Sequence, residues 1–165
     1  MRIVIEPAAP EHLAEISALA VVIWRAHYPG IITPAQIEYM LERMYALSIL
    51  RAELAGGVRF ERAIVDDELR GFASIGPTEI ATEFKLHKLY VHPDWQRHGI
   101  GGALLKEVES TARARGATTL LLNVNKRNEI AIRAYHKRGF TLRDSIVADI
   151  GGGFVMDDYV MVKPL

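Results

Sequence analysis

The sequence predicts an α/β sandwich around a mixed sheet of about seven strands flanked by four helices. Two observations carry that expectation: segments of strand and helix period follow one another in the order β-αα-ββ-β-α-β-α-ββ, and two of the strand pairs are joined by short polar or glycine turns. At 165 residues and 18.4 kDa the chain is expected to form a single domain over residues 1–165. Apolar residues make up 50% and charged residues 24%, which is enough to bury a core without metal or disulfide staples.

The elements follow in order. Arg2–Glu6 alternates as a short strand, and Pro10 sits at a first helical position ahead of Leu13, Ile16, Leu19, Ala20 and Ile23 at helical spacing. Tyr28-Pro29-Gly30 breaks that helix, and Thr33-Pro34-Ala35-Gln36 has the form of a capping box opening a second one, with Ile37, Met40, Leu41, Met44 and Leu47 inward. Val58–Val65 and Leu69–Ile75 read as a hairpin about Asp66-Asp67-Glu68, and Phe84–Val91 as the next strand. Gly99–Ala114 is an amphipathic helix, Thr118–Val124 a buried strand, and Glu129–Arg138 a helix ended by Gly139. Phe140–Asp149 and Phe154–Val162 close the chain as a hairpin about Gly151-Gly152-Gly153. No repeat, low-complexity run or linker interrupts this order.

Composition narrows the function. The absence of cysteine excludes disulfides, thiolate zinc sites, iron–sulfur clusters and cysteine nucleophiles. No apolar stretch reaches the length of a membrane span, and the acidic and proline residues of MRIVIEPAAPEH do not suit a signal peptide, so a cytoplasmic protein without a membrane partner is expected. Twenty Lys and Arg balance twenty Asp and Glu, which gives no electrostatic case for nucleic acid. The charge is unevenly placed, however: nine basic and three acidic residues lie between Gln96 and Arg138, so that segment is +6 and the remainder −6. Such a division suits a phosphate-bearing cofactor and an amine, although solvated helix faces would produce it as well.

The segment that carries chemistry runs Leu89-Tyr90-Val91-His92-Pro93-Asp94-Trp95-Gln96-Arg97-His98-Gly99-Ile100-Gly101-Gly102: an apolar strand, a turn, and glycines entering a helix. A helix start has unpaired N–H groups and partial positive charge, and glycines allow a ligand close to the backbone. Two other glycine motifs fail, because Leu104 replaces the third glycine of G-x-G-x-x-G and no G-K-[ST] follows. Tight helix–strand packing would account for the glycines equally. A second group follows at Asn123-Val124-Asn125, Asn128, Ala131, Tyr135, Gly139 and Phe140.

Together the two groups resemble the GCN5-related N-acetyltransferase (GNAT) superfamily, whose Q/R-x-x-G-x-G/A motif matches Gln96-Arg97-His98-Gly99-Ile100-Gly101. The resemblance covers residues 60–140 most strongly. It implies a mostly antiparallel sheet, acetyl-CoA as cofactor with CoA as product, pantetheine against Leu89, Tyr90 and Val91, and diphosphate on the amides from Arg97 to Gly102. Asn128, Ala131 and Tyr135 fall where family members contact the cofactor. Leu86–Val91, Trp24–Tyr28 and the segment 149–161 further resemble the bacterial branch that includes the PaiA-type spermidine/spermine acetyltransferases. That implies a small-molecule amine acceptor, with a polyamine as the leading candidate.

Direct transfer to an amine needs a base, polarisation of the acetyl carbonyl and a proton donor for the thiolate. The family places a tyrosine near the sulfur, which makes Tyr135 the expected acid; packing under the sheet is the competing explanation. The N–H of Leu89 is expected to polarise the carbonyl. For the base His87 comes first, two residues before Leu89 and so expected on its strand face, with Glu83 second; a water relay remains the alternative. Of the other histidines, His98 is expected beside phosphate, and none shows the spacing of a metal site. Trp24, His27, Tyr28 and Tyr39 are expected to wall the acceptor pocket, where core packing would also explain them, and Asp157 or Asp158 to receive a distal ammonium. The C-terminal hairpin would suit a homodimer or a sheet core. A protein or peptide N-acetyltransferase and a non-catalytic CoA-binding sensor are the competing functions.

Overall fold

The computed structural model describes residues 1–165 and contains one seven-stranded sheet in the order β1-β2-β3-β4-β5-β7-β6. The strands are β1 (Ile3–Pro7), β2 (Arg59–Val65), β3 (Glu68–Pro77), β4 (Glu83–Val91), β5 (Thr119–Asn125), β6 (Thr141–Gly151) and β7 (Phe154–Pro164). All neighbours are antiparallel except β4 and β5. The helices are α1 (Leu13–His27), α2 (Pro34–Tyr45), α3 (Leu47–Ala55), α4 (Ile100–Ala114) and α5 (Glu129–Lys137). None is long and apolar enough to cross a membrane.

Local chemistry accounts for most boundaries. Pro10 opens a short 3-10 turn that leads into α1, so its ring sits just ahead of the α-helix. Thr33 Oγ1 accepts the Gln36 N–H at 3.1 Å, completing one arm of the capping box. The Gln36 side chain does not return to Thr33 but donates to Val155 O, tying α2 to β7. The second helical stretch is divided, because Ala46 adopts an extended conformation (φ −54°, ψ 139°) and starts α3 one residue after α2 ends. Asp66 and Asp67 both lie in the left-handed region (φ 53° and 62°), the backbone that a two-residue hairpin loop needs to follow strand twist.

Each face of the sheet buries its own core. On one face, α4 covers Ala63, Val65, Ala73, Ile75, Phe84, Leu86 and Leu120 with Leu104, Leu105 and Val108. On the other, α1, α2 and α3 cover Phe60 and Phe72 with Ile16, Ile23, Met40, Tyr45 and Leu50. Strand β4 changes allegiance midway. Lys88 pairs with Ser74 and Leu86 with Ile75, which leaves His87 as an extra residue in a β-bulge. A bulge shifts side-chain parity by one. Phe84 and Leu86 therefore face α4, whereas Tyr90 faces the α1–α3 layer and Leu89 and Val91 pack on the α4 side. His87 faces the α1–α3 layer too, against Gly76 and beside Val58. The expectation that His87 and Leu89 share a face is thus overturned by the bulge.

Pairing between β4 and β5 is confined to Glu83–Lys85 opposite Thr119–Leu121. Beyond it, β4 stays on β3 while β5 stays on β7 as far as Asn125, and a wedge opens between them. Gly71 on β3, opposite Val91, lets α4 pack close against β3 and β4, since a Cβ there would stand 2.9 Å from Tyr90 O and 3.2 Å from side-chain atoms of Ile100 and Leu104. We expect Gly71→Ala to cost about 1–3 kcal/mol, because a backbone oxygen must move to admit the methyl. Urea denaturation measures this loss, and an unchanged midpoint would contradict the close approach.

Candidate active site

The wedge is the mouth of a cleft of about 730 Å³ that passes between the two faces of the sheet. Its β4 wall is polar backbone. His92 N–H donates to Arg70 O on β3 at 2.8 Å, so strand alternation directs the N–H groups of Leu89 and Val91 the other way, into the wedge. These donors have lost the partner strand that would have satisfied them.

At one end lies the start of α4. Gly99 is left-handed (φ 85°), and Arg97 is too (φ 63°), a conformation uncommon for a residue with a side chain. The first helical bond runs from Ala103 N–H to Gly99 O, which leaves the N–H groups of Ile100, Gly101 and Gly102 without helical partners, and no side chain caps them. The Arg138 guanidinium rests on Gly102; a Cβ there would come within 2.8 Å of it. Unpaired donors, a helix dipole and two arginines make this end fit a diphosphate, and glycine at 102 is what admits Arg138. Gln96, Arg97, Gly99, Ile100, Gly101 and Gly102 all line the cleft. His98 does not: its ring turns back to Gln96 O at 2.8 Å and lies exposed against Trp95.

The centre of the cleft is aromatic and buried. Asn128 caps α5 through the Ala131 N–H (3.4 Å), and its Oδ1 also meets His27 Nε2 at 3.0 Å, joining α5 to the end of α1. The Tyr28 and Tyr90 hydroxyls are 2.9 Å apart, and Trp24 stacks on Tyr28 with ring centres separated by 4.2 Å. Burial raises the Tyr28 phenol to about 12. Burial, with Tyr28 nearby, also holds the Tyr135 phenol well above its ordinary range, so it keeps its proton at neutral pH. Tyr135, Ala131, Asn128, Trp24, His27 and Tyr28 all border this space.

The remaining end is charged. Lys88 is buried, paired with Glu53 at 3.0 Å, and lies over the Tyr45 ring. His87 also borders the cleft, and burial together with Lys85 and Lys88 lowers its imidazole to about 4. It is therefore neutral at pH 7 but a weak base. Glu83 lies at the paired start of β4, outside the cleft, with Arg143 Nη1 at 2.6 Å from its carboxylate. Tyr39 is also outside: its hydroxyl donates to Ile150 O (2.5 Å) and its ring clamps the Gly151–Gly152 turn to α2. Strand parity separates the two aspartates. Asp157 points outward to Lys126 (2.5 Å), and Asp158 points into the cleft. Burial lifts the Asp158 carboxyl to about 6. The sequence reading assigned no role to Arg138, Lys85, Lys88 or Arg43, which also line the cleft; only the basic bias of segment 96–138 hinted at Arg138.

Comparison with known proteins places this geometry. The family model described as acetyltransferase (GNAT) family matches residues 12–140. The spermidine N(1)-acetyltransferase of Thermoplasma acidophilum is 28% identical over 162 residues, covering 95% of this chain and 97% of that one. The crystal structure of a PaiA N-acetyltransferase from the same organism, in complex with coenzyme A, superposes with a TM-score of 0.85 at 26% identity and full coverage of both chains. The ribosomal protein bS18-alanine N-acetyltransferase of Escherichia coli is 39% identical over 61 residues, 37% of this chain and 41% of that one.

The raised Asp158 carboxyl has a stability consequence whose sign is fixed. With an unfolded value near 3.9 and a folded one near 6, folding is favoured below the lower value and this contribution is lost as pH rises through 6. Asp158→Asn removes the ionisation, so we expect it to raise the thermal midpoint at pH 8, with the gain shrinking between pH 6 and 4. Calorimetry across that range checks this; a variant less stable at pH 8 would contradict the burial of an unpaired charge.

Proposed function

The chain belongs to the acetyltransferase (GNAT) family, and on that premise we propose that it moves the acetyl group of acetyl-CoA directly to a primary amine of a small molecule. The enzyme class and the cofactor follow from the family and from the CoA complex of the similar structure. What supports direct transfer in this chain is the wedge itself, a single cleft with a diphosphate-compatible helix start at one end and a polar acceptor end at the other.

Acetyl-CoA brings an activated thioester. The N–H groups of Ile100, Gly101 and Gly102, with Arg97 and Arg138, would hold its diphosphate, and the free edge of β4 its pantetheine amides. In this reading the Leu89 N–H, aimed into the wedge, polarises the thioester carbonyl. Tyr135 holds a proton at its hydroxyl for the departing sulfur, and burial keeps that proton in place until it is needed. Asn128 orients the α5 turn that carries Ala131 and, one turn further, Tyr135. His27 steadies Asn128 from α1.

The acceptor reading is a small amine, with a polyamine first because the Thermoplasma relative is named for spermidine. Its test is thiol release from acetyl-CoA across spermidine, spermine, arylalkylamines, amino acids, aminoglycosides and short peptides. We expect turnover with a small amine and a fall in kcat of about 10²- to 10⁴-fold in Tyr135→Phe, with acetyl-CoA affinity retained. Silence across the panel, or full activity in Tyr135→Phe, would contradict this reading.

We further infer a homodimer through β6. It is the outermost strand, 11 residues long and exposed along most of its length, and Leu142 and Val147 on it stand 56% and 66% exposed. A long strand edge of this kind, with Leu142 and Val147 exposed on it, pairs unless it is covered. Sedimentation is expected to give about twice the 18.4 kDa chain mass, and Val147→Asp to give the monomer; a monomeric parent would refute it.

A further inference from the structure

Asp158 is the one cleft carboxylate without a partner. It is only 3% exposed, it borders the cleft, and it makes no hydrogen bond or ion pair within the chain. Of the cations near it, Lys126 pairs with Asp157 at 2.5 Å, and Lys85, which lines the same cleft and acts on Asp158 through its charge, makes no ion pair with it. A buried carboxylate is costly unless something charged or hydrogen-bonding completes it. Its position says what that something is. Asp158 pairs in register with Asn125, the last residue of β5, where the wedge is open, and it lies near enough to Tyr28 to raise that phenol. Tyr28 in turn influences Tyr135. The unpartnered carboxylate and the phenol assigned as acid thus meet the same buried space.

Resting on the acetyltransferase reading above, we propose that the Asp158 carboxylate receives the ammonium group of the acceptor and takes the proton that the amine must lose before it attacks. The balance is simple. One proton passes from the ammonium to Asp158; the free amine forms the new N–C bond as the C–S bond breaks; Tyr135 gives its proton to the sulfur and is restored by the second proton shed from nitrogen; Asp158 returns its proton to solvent. The charged and titratable groups around Asp158 are Lys85 on β4, Lys126 after β5, Asp157 on β7 and the Tyr28 phenol at the end of α1. Burial outweighs the two lysines and brings the carboxyl to about 6, so it is ionised at pH 7 yet more basic than an exposed carboxylate. By comparison the His87 imidazole, at about 4 between two lysines, is disfavoured both as a base and as a neighbour for an ammonium.

The test separates acceptor binding from turnover. Spermidine, tyramine and a trialanine peptide are titrated calorimetrically, each in turn, into the enzyme saturated with CoA, for the parent chain, Asp158→Asn and Asp158→Glu. We expect at least one amine to bind the parent, Asp158→Asn to bind it about tenfold or more weakly, and CoA affinity to be the same in both. Asp158→Glu is expected to recover part of the loss. For the amine that turns over, the acid limb of kcat/KM near pH 6 is expected in the parent and absent in Asp158→Asn. Parent-like amine binding in Asp158→Asn, an acid limb that survives the substitution, or failure of every amine to bind the parent would overturn the assignment. Thiol release with unaltered kinetics in Asp158→Asn would overturn it while leaving the acetyltransferase reading intact; loss of CoA binding by the parent would count against that reading instead.

Discussion

Everything distinctive about this molecule depends on where β4 and β5 stop pairing. The two strands are the only parallel neighbours in the sheet, and they share three residue pairs before they part. A sheet that opens at its centre leaves backbone donors facing a gap, and buried donors without acceptors are costly. The chain uses that cost. The N–H groups of Leu89 and Val91 face a space that an extended amide-bearing ligand would fill as a substitute strand, on the reading proposed above. Two local features sit beside the opening: Gly71, which lets α4 pack close against β3 and β4, and the His87 bulge in β4.

The electrostatics of the cleft follow from the same opening. Its α4 end presents a helix start and two arginines; its other end presents the buried Asp158 carboxylate together with Lys85 and the Lys88–Glu53 pair, and the phenols of Tyr28 and Tyr135 also border it. Burial is the leading cause of every large shift there. It keeps Tyr135 protonated, lowers His87 and lifts Asp158. An anionic cofactor would meet the basic α4 end, and a cationic acceptor would find the Asp158 carboxylate at the other, where Glu53 already offsets Lys88.

Most of the fold was legible because its signals are local. The Asp66-Asp67 turn, the Thr33 cap and the glycines entering α4 are each encoded in two to four adjacent residues, and all three form as read. The break at Ala46 was not legible: no glycine or proline marks it, and α3 packs against α1 and α2 with Leu50 in their common core. The bulge at His87 was equally silent, and it reverses the parity on which the strand reasoning relied. The site shows the same division. The residues of the glycine motif other than His98, read from the helix start, and Asn128 and Tyr135, named through a resemblance, do border the cleft. Glu83, Tyr39, His98 and Asp157 do not, because each is held by a neighbour that sequence cannot show: Arg143, the Ile150 carbonyl, the Gln96 carbonyl and Lys126. Of the two aspartates named for a distal ammonium, strand parity places only Asp158 on the cleft.

The central claim is that the free edge of β4 and the start of α4 bind the cofactor together. Amide hydrogen exchange, resolved by residue with and without CoA, tests it most directly. The account predicts that CoA slows exchange at Leu89, Val91 and Ile100 to Gly102, the donors left open by the wedge and by the helix start, while Tyr90, already bonded to β3, changes little. Protection confined to other segments, or none at these five amides under saturating CoA, would contradict it.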